Sequence, residues 1–283
     1  MTPSFVNPHA EIFVPDGSAQ GEALRRTTQL GVGAHPDDLE IFAIAGILEC
    51  FQRDDEWFTG VVVTDGAGSP RHGRYRAHSD ERMRATRRIE QKKAAFIGGY
   101  AAQVLLDHQS SEVKAASRAV VEDLKQVLEA TAPRVVYTHA LTDKHDTHVA
   151  VALRVIQACR EVSSECRPAR LLGCEVWRDL DWLCDADKAV MDLDQQEHLE
   201  LALLGVFDSQ IAGGKRYDLA TLGRRRANAT FASSHATDDA RGRVYAMDLS
   251  PLLHEPHLDP VGYALELIDR FRNEVEARLR KLS

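Results

Sequence analysis

The chain has 283 residues, of which 44% are hydrophobic, 28% charged and 6% aromatic. This composition is typical of a globular protein and provides enough apolar surface for one large domain or two small ones. The formal net charge of −8 argues against a nucleic-acid-binding protein, which normally presents a basic face. We therefore expect no nucleic-acid partner.

The cysteines and the apolar runs of the sequence indicate the cellular compartment of the protein. The five cysteines are odd in number and form no CxxC pair, which favours reduced thiols over a disulfide framework or a thiolate metal site. The first residues contain no basic stretch followed by a continuous apolar segment, and no apolar run approaches the ~20 residues that cross a bilayer. We expect a cytoplasmic protein without a membrane span.

Strand-like segments recur along most of the chain, beginning with a short apolar run that ends at Ala34. The predicted strands are RTTQLGVGA (26–34), EWFTGVVVTDG (56–66), QVLLDH (103–108), RVVYTHA (134–140), LLGCEVW (171–177), KAVMDL (188–193) and RVYAMDL (243–249). Between them, apolar spacing predicts helices over 38–52, 80–96, 110–130, 145–162, 195–210, 218–231 and 261–282.

This alternation predicts an α/β fold of three layers, Rossmann-like, in which helices cover both faces of a mostly parallel sheet. We expect one domain over residues 1–283, with the closing helix 261–282 packed on it. Residues 175–192 are a candidate subdomain excursion.

Polar clusters follow three of the predicted strands. They are HPDD (35–38), TDGAGS (64–69) and THALTDKHDTH (138–148). Ligands of open α/β sheets gather beyond the carboxyl ends of the strands, so these clusters should meet at one edge of the sheet.

The HPDD cluster places two carboxylates side by side where a strand meets a helix. Pro36 keeps His35 extended and pre-sets the turn into the helix. Asp37 and Asp38 then lie at a helix N-terminus, where negative charge is favoured, and a bound cation would remove their remaining repulsion. Simple helix capping by the two acids is the competing interpretation.

Two histidines after the fourth predicted strand strengthen the case for a metal. His145 and His148 are three residues apart and share one face if a helix begins there. Two imidazoles and one carboxylate would give zinc three protein ligands and leave one position for water. One acid and one histidine would remain for proton transfer, and the residue pattern alone does not say which.

These motifs make the chain recognisable. It resembles the PIG-L/LmbE family of zinc-dependent N-deacetylases, which includes N-acetylglucosaminyl-phosphatidylinositol deacetylase and the mycothiol and bacillithiol deacetylases. The resemblance rests on AHPDD at 34–38 and on the D-x-H-x-x-H run of Asp143, His145 and His148. VTDGAGS, RRIEQKKAAFIGG and FDSQ are looser matches, and the similarity spans about residues 27–231.

The resemblance implies a role for each of five residues. His35, Asp38 and His148 would bind zinc, Asp37 would be the general base, and His145 would stabilise the oxyanion and protonate the departing amine. First-row metals compete for such ligands, so the sequence leaves zinc, iron(II) and other divalent ions open.

One position departs from the family pattern. Many members carry an acid immediately before the last histidine, where this chain has Thr147, with Asp146 one place earlier. A carboxylate that tunes His145 must then come from elsewhere, and Asp143 is our candidate. We also expect Asp146 and His139 to lie behind the metal ligands.

Substrate contacts are expected from the loop after the second predicted strand and from the next helix. The family places sugar-contacting groups near Asp65, Gly66 and Ser69. Arg71 would meet an anionic part of the substrate, and Arg87 matches an arginine pattern of the family. Ordinary turns, a solvated loop and surface ion pairs are the competing interpretations.

The expected function is hydrolysis of the N-acetyl group of an N-acetylglucosamine-type small molecule by zinc-activated water. Amidase action on a thiol-sugar conjugate or another N-acylated amine is the enzymatic alternative. A nucleotide- or sugar-binding module is the non-enzymatic one, although the usual phosphate-binding glycine motifs are absent. The sequence leaves homo-oligomerisation open.

Overall fold

A single eight-stranded sheet forms the centre of the protein, in a computed structural model that describes residues 2–255 and 257–283. The strands are β1 (Glu11–Phe13), β2 (Gln29–Gly33), β3 (Phe58–Thr64), β4 (Ala102–His108), β5 (Val135–His139), β6 (Arg170–Cys174), β7 (Lys188–Asp192) and β8 (Arg243–Asp248). Their order is β1-β4-β3-β2-β5-β6-β8-β7. The five central strands β4, β3, β2, β5 and β6 run parallel, whereas β1, β7 and β8 pair antiparallel at the edges.

Twelve helices surround the sheet in the described ranges. They are α1 (Gln20–Arg25), α2 (Asp38–Phe42), α3 (Ile44–Cys50), α4 (Asp80–Ile97), α5 (Ser110–Lys114), α6 (Arg118–Thr131), α7 (Asp146–Glu161), α8 (Glu197–Gly205), α9 (Asp208–Ile211), α10 (Tyr217–Thr230), α11 (Pro251–His254) and α12 (Pro260–Leu282). One apolar core joins α1, α6 and α7 to one face of the sheet, and a second joins α2, α3, α4 and α8 to the other. The predicted three-layer, mostly parallel α/β fold is confirmed.

Three predicted helices are each interrupted. The segment 38–52 breaks at Ala43, 110–130 breaks around Ala116, and 195–210 breaks between α8 and α9. Apolar spacing continues across each break, so the pattern alone merges the pieces. Three short elements, β1, α1 and α11, were not predicted from the sequence.

The segment 175–192, a candidate subdomain in the sequence analysis, ends in the main sheet. Its last residues form the edge strand β7, which pairs with β8. None of the helices in the described ranges combines the length and the apolar character that a bilayer crossing requires.

Glycines in the sheet let α2 approach closely. A Cβ on Gly60 would lie 2.7 Å from Leu39 Cδ1 and 2.5 Å from Gln103 Oε1, and one on Gly31 would lie 2.9 Å from Leu39 Cδ2. The side chain of Leu39, the second residue of α2, thus packs directly against the backbone of two neighbouring strands, at positions where glycine has no side chain. This contact fixes the start of α2 against the middle of β2 and the first half of β3.

We predict that Gly60→Ala lowers the free energy of unfolding by about 1–3 kcal/mol, because the added methyl overpacks the seat of Leu39. Chemical denaturation followed by circular dichroism measures the effect. Gly223→Ala is the matched control: its Cβ would meet no atom within 4 Å, and the change should stabilise α10 by about 0.5–1 kcal/mol. Equal effects of the two changes would contradict the packing argument.

Candidate metal centre

The centre lies where two adjacent strands end. β2 and β5 pair in parallel in the middle of the sheet, so the segments that follow them leave at the same edge. His35 and Asp38 follow β2, whereas His139 ends β5 and His148 lies in the first turn of α7. The topology therefore brings together two motifs that are more than 100 positions apart in the chain.

The three predicted ligands His35, Asp38 and His148 face one another. His35 Nδ1 lies 3.2 Å from His148 Nε2. Asp38 directs one oxygen to each imidazole, with Oδ2 at 3.4 Å from His35 Nδ1 and Oδ1 at 3.5 Å from His148 Nε2. Two ligands of a tetrahedral zinc with bonds of ~2.0–2.1 Å are separated by about 3.3 Å, so these spacings fit a shared divalent ion.

Further histidines surround this trio. The imidazoles of His139, His148 and His145 stack with successive centroid distances of 3.9 and 4.6 Å, and Trp177 follows His145 at 6.4 Å. His148 belongs to two groups whose ligand atoms all lie within 4.8 Å of one another, one with His35 and His145 and one with Asp38 and His139.

His139 and Asp143 each lie beside one member of the trio. The Ala34 N–H donates to His139 Nε2 at 2.9 Å, which occupies the nitrogen nearest Asp38. Asp143 Oδ2 lies 3.6 Å from His148 Nδ1, on the far side of the ring from Nε2. A carboxylate in this position orients a ligating imidazole and makes it more basic.

Asp143 acts on the ring of His145 through its charge and not through a side-chain contact: burial lowers the pKa of that imidazole, and the charges of Asp38 and Asp143 oppose the shift. Asp143 Oδ1 accepts a hydrogen bond from the backbone N–H of His145 at 2.9 Å. The His145 ring instead accepts one at Nδ1 from the Thr147 N–H, at 3.3 Å, which leaves Nε2 as the protonated nitrogen of the neutral ring. Asp146 is exposed on α7 and does not line the cavity at the site.

Asp37 occupies the other side of the same turn, in a backbone conformation rare for a residue with a side chain. Its φ of 95° and ψ of −27° fall in the left-handed region, which costs about 1–3 kcal/mol. The Asp37 N–H donates to Gln91 Oε1 at 3.1 Å, and Arg87 Nη2 lies 3.3 Å from Asp37 Oδ1 while also donating to the Pro36 carbonyl. Two side chains of α4 thus hold the strained residue.

The pKa values of the two adjacent acids are shifted in opposite directions. Burial raises the pKa of Asp37 to about 8, against the opposing effect of Arg87. Burial would also raise the pKa of Asp38, but His148, His139 and His35 together hold it well below its usual range. His148 shows the reverse balance: burial lowers its pKa, Asp38 and Asp143 raise it, and the net shift is upward.

A cavity of about 530 Å³ opens over these side chains. His35, Asp37, Asp38, His145 and His148 line its floor, together with four of the five residues predicted to contact substrate, which are Asp65, Gly66, Ser69 and Arg87. Arg87 is 2% exposed and donates to Ser69 Oγ at 2.8 Å, so it ties the loop after β3 to the HPDD turn.

Arg71 is the fifth, and it does not line the cavity. Its guanidinium donates to the Ala67 carbonyl and pairs with Asp80 at the start of α4. These contacts hold the loop after β3 in place.

The opposite wall of the cavity was not predicted from the sequence. It is formed by Trp177, Lys215, Tyr217 and Arg224, with Lys114 from α5. Tyr217 meets Trp177 edge-on at 5.8 Å, and Lys215 Nζ lies 5.1 Å from the centre of the Trp177 ring. No motif surrounds these residues, so only the fold could bring them to the site.

A family model matches part of the chain. Residues 30–159 match the family PIG-L, GlcNAc-PI de-N-acetylase. Over this segment, which is somewhat less than half of the chain, the protein is similar to that family. The matched segment contains both metal motifs and ends two residues before the end of α7. No curated protein matches the chain.

Solved structures share the fold of this chain at low sequence identity. The N,N'-diacetylchitobiose deacetylase of Pyrococcus horikoshii is 16% identical with a TM-score of 0.62, over 81% of this chain and 86% of its own. The A40926 pseudoaglycone deacetylase Dbv21 is 17% identical with a TM-score of 0.56, over 78% and 97%. GalB, a 4-carboxy-2-hydroxymuconate hydratase from Pseudomonas putida, is 15% identical with a TM-score of 0.57, over 79% and 95%.

We predict that Asp143→Asn lowers zinc affinity by about 10–100-fold, because His148 loses its charged partner behind the ring. Competition against a chromophoric chelator measures the affinity. Asp146→Asn is the matched control, since Asp146 is exposed and three residues away, and its zinc affinity should not change. A similar loss in both variants would mean that general electrostatics, and not the contact with His148, sets the affinity.

Proposed function

We propose that this protein is a metal-dependent hydrolase that removes the N-acetyl group from an amino-sugar derivative. The observation that carries the proposal is the meeting of His35 Nδ1, Asp38 and His148 Nε2 within 3.2–3.5 Å on the floor of a cavity that also contains Asp37. The PIG-L family match and the two deacetylases of similar fold support the choice of reaction.

The proposed metal ligands are His35, Asp38 and His148. When bound, zinc or another divalent ion would polarise the amide carbonyl and lower the pKa of a coordinated water towards ~7. The donor set fits such an ion, because two imidazoles and one carboxylate are the ligands of many catalytic zinc sites.

Asp37 is the proposed general base. It takes a proton from the attacking water and returns it to the amide nitrogen as the C–N bond breaks, giving a free amine and acetate. Its two neighbours on α4 prevent it from turning towards the histidines. Arg87 lies 3.3 Å from its Oδ1, and Gln91 accepts from its N–H at 3.1 Å.

His145 is the proposed oxyanion donor. Because the Thr147 N–H occupies Nδ1, Nε2–H is the group that can donate to the carbonyl oxygen as negative charge develops. This assigns the donor to a neutral imidazole, where the sequence led us to expect a protonated one.

The aromatic wall supports an amino-sugar or similar cyclic substrate. Trp177 lies beside His145 and meets Tyr217 edge-on, and both aromatic side chains line the cavity, as is usual in pockets that bind small molecules. An amidase acting on a thiol-sugar conjugate would use the same groups and differs only in the acyl acceptor.

A hydratase is the second candidate, favoured by the similar fold of GalB. Both reactions add water to an electrophilic carbon, so the metal ligands and Asp37 suit either one. Acetate release identifies the first reaction, whereas loss of ultraviolet absorbance from a conjugated enol acid identifies the second.

We predict that Asp37→Asn lowers kcat by about 100–10,000-fold and keeps zinc, because it removes only the base. Asp38→Asn should lose both zinc and activity. Acetate release from N-acetylglucosamine conjugates and metal content by mass spectrometry give the two readouts. Full activity of Asp37→Asn, or zinc loss in that variant alone, would overturn the assignment of the two acids.

A further inference from the structure

The C-terminal helix α12 presents a long apolar stripe to solvent. Leu265, Leu279 and Leu282 are 54%, 64% and 77% exposed. Val261, Ile268, Phe271 and Val275 are also exposed on this helix. Large apolar side chains that line one face of a helix mark an interaction surface, whereas single exposed ones do not.

The stripe has the spacing of a coiled coil. Its positions alternate four and three residues apart over three heptads, which is the repeat that keeps one seam facing a partner helix. The stripe comprises Val261, Leu265, Ile268, Arg272, Val275, Leu279 and Leu282. Six of these seven residues are apolar, and Arg272 interrupts the row at its centre.

Contacts with the rest of the protein use a different side of α12. Leu267 is its buried residue, Tyr263 packs beside the same core, and Arg270 pairs with Asp187 at 2.6 Å. Leu267 and Arg270 lie outside the stripe. The domain therefore holds α12 in place without covering its apolar face.

The charges of α12 favour a protein partner over a membrane surface. The helix carries five basic and four acidic residues, so it has almost no net charge. Arg270, Arg278 and Arg280 each pair with a glutamate four residues earlier. A helix that binds anionic lipid would instead present an unpaired basic face.

We propose that α12 pairs antiparallel with α12 of a second copy of this chain. In a parallel pair, Arg272 would face Arg272 of the second copy within the core. In an antiparallel pair, Arg272 can lie opposite Val275, Ile268 opposite Leu279, and Leu265 opposite Leu282. Each of these three pairs occurs twice by symmetry, so the register contains six pairs of facing residues. In none of them does an arginine face an arginine.

An ion pair within the helix makes the central arginine compatible with this arrangement. Asp269 Oδ1 lies 3.3 Å from Arg272 Nη2 of the same helix, so the one charged residue of the stripe carries its own counter-ion. The proposal does not depend on the reaction catalysed, because the stripe is separate from the residues that line the cavity.

Analytical ultracentrifugation of the full chain tests the pairing. The wild type should sediment as a dimer, and Leu279→Glu should weaken the dimer at least about 100-fold because a charge would be buried in the seam. Ala277→Glu is the matched control: it adds the same group to the same exposed helix outside the stripe and should leave the dimer intact. Circular dichroism confirms that both variants retain the helix.

Cysteine cross-linking tests the orientation, in a background in which the partly exposed Cys166 and Cys184 are serine. Mixing Ile268→Cys protein with Leu279→Cys protein should give an inter-chain disulfide, and neither alone should. Cross-linking of each variant with itself would show parallel pairing and overturn the register. A monomeric wild type, a dimer unaffected by Leu279→Glu, or a monomer that sediments with anionic vesicles would overturn the pairing.

Discussion

The burial of two adjacent carboxylates is the constraint on which the rest of the site depends. Asp37 and Asp38 are 6% and 3% exposed, so water screens neither charge. The left-handed backbone at Asp37 turns the two side chains apart, one towards Arg87 and the other towards the histidines. Each carboxylate thereby gains its own partners, and the repulsion between them is relieved without separating them in the chain.

Two scaffolds maintain that turn. The side chain of Leu39 packs against glycine backbone in β2 and β3, and this contact fixes the start of α2. From the other side, α4 supplies Arg87 and Gln91 to the turn and Glu90 to Ser209 of α9, whose backbone N–H and hydroxyl both donate to that carboxylate. The helix α4 thus connects the HPDD turn to the FDSQ segment.

The sequence predicted those parts of the site that a local pattern encodes. Strand alternation predicted the sheet, and adjacent strand ends predicted that HPDD would meet the His145–His148 segment. Contacts between side chains that only the tertiary fold brings together leave no pattern in the sequence. Asp143 stands two residues before His145 yet orients His148, Arg71 binds its own loop, and Trp177 reaches the cavity from a segment without a motif. The helix breaks at Ala43 and Ala116 were not predicted, because alanine normally favours a helix.

The central claim is that one divalent ion is held jointly by the ends of β2 and β5. A crystal structure of the zinc-loaded protein, with data collected at the zinc absorption edge, tests it most directly. The account predicts one anomalous peak per chain, within bonding distance of His35 Nδ1, a carboxylate oxygen of Asp38 and His148 Nε2. A peak bound by His139 or His145 in place of Asp38, or no peak in the cavity, would contradict it.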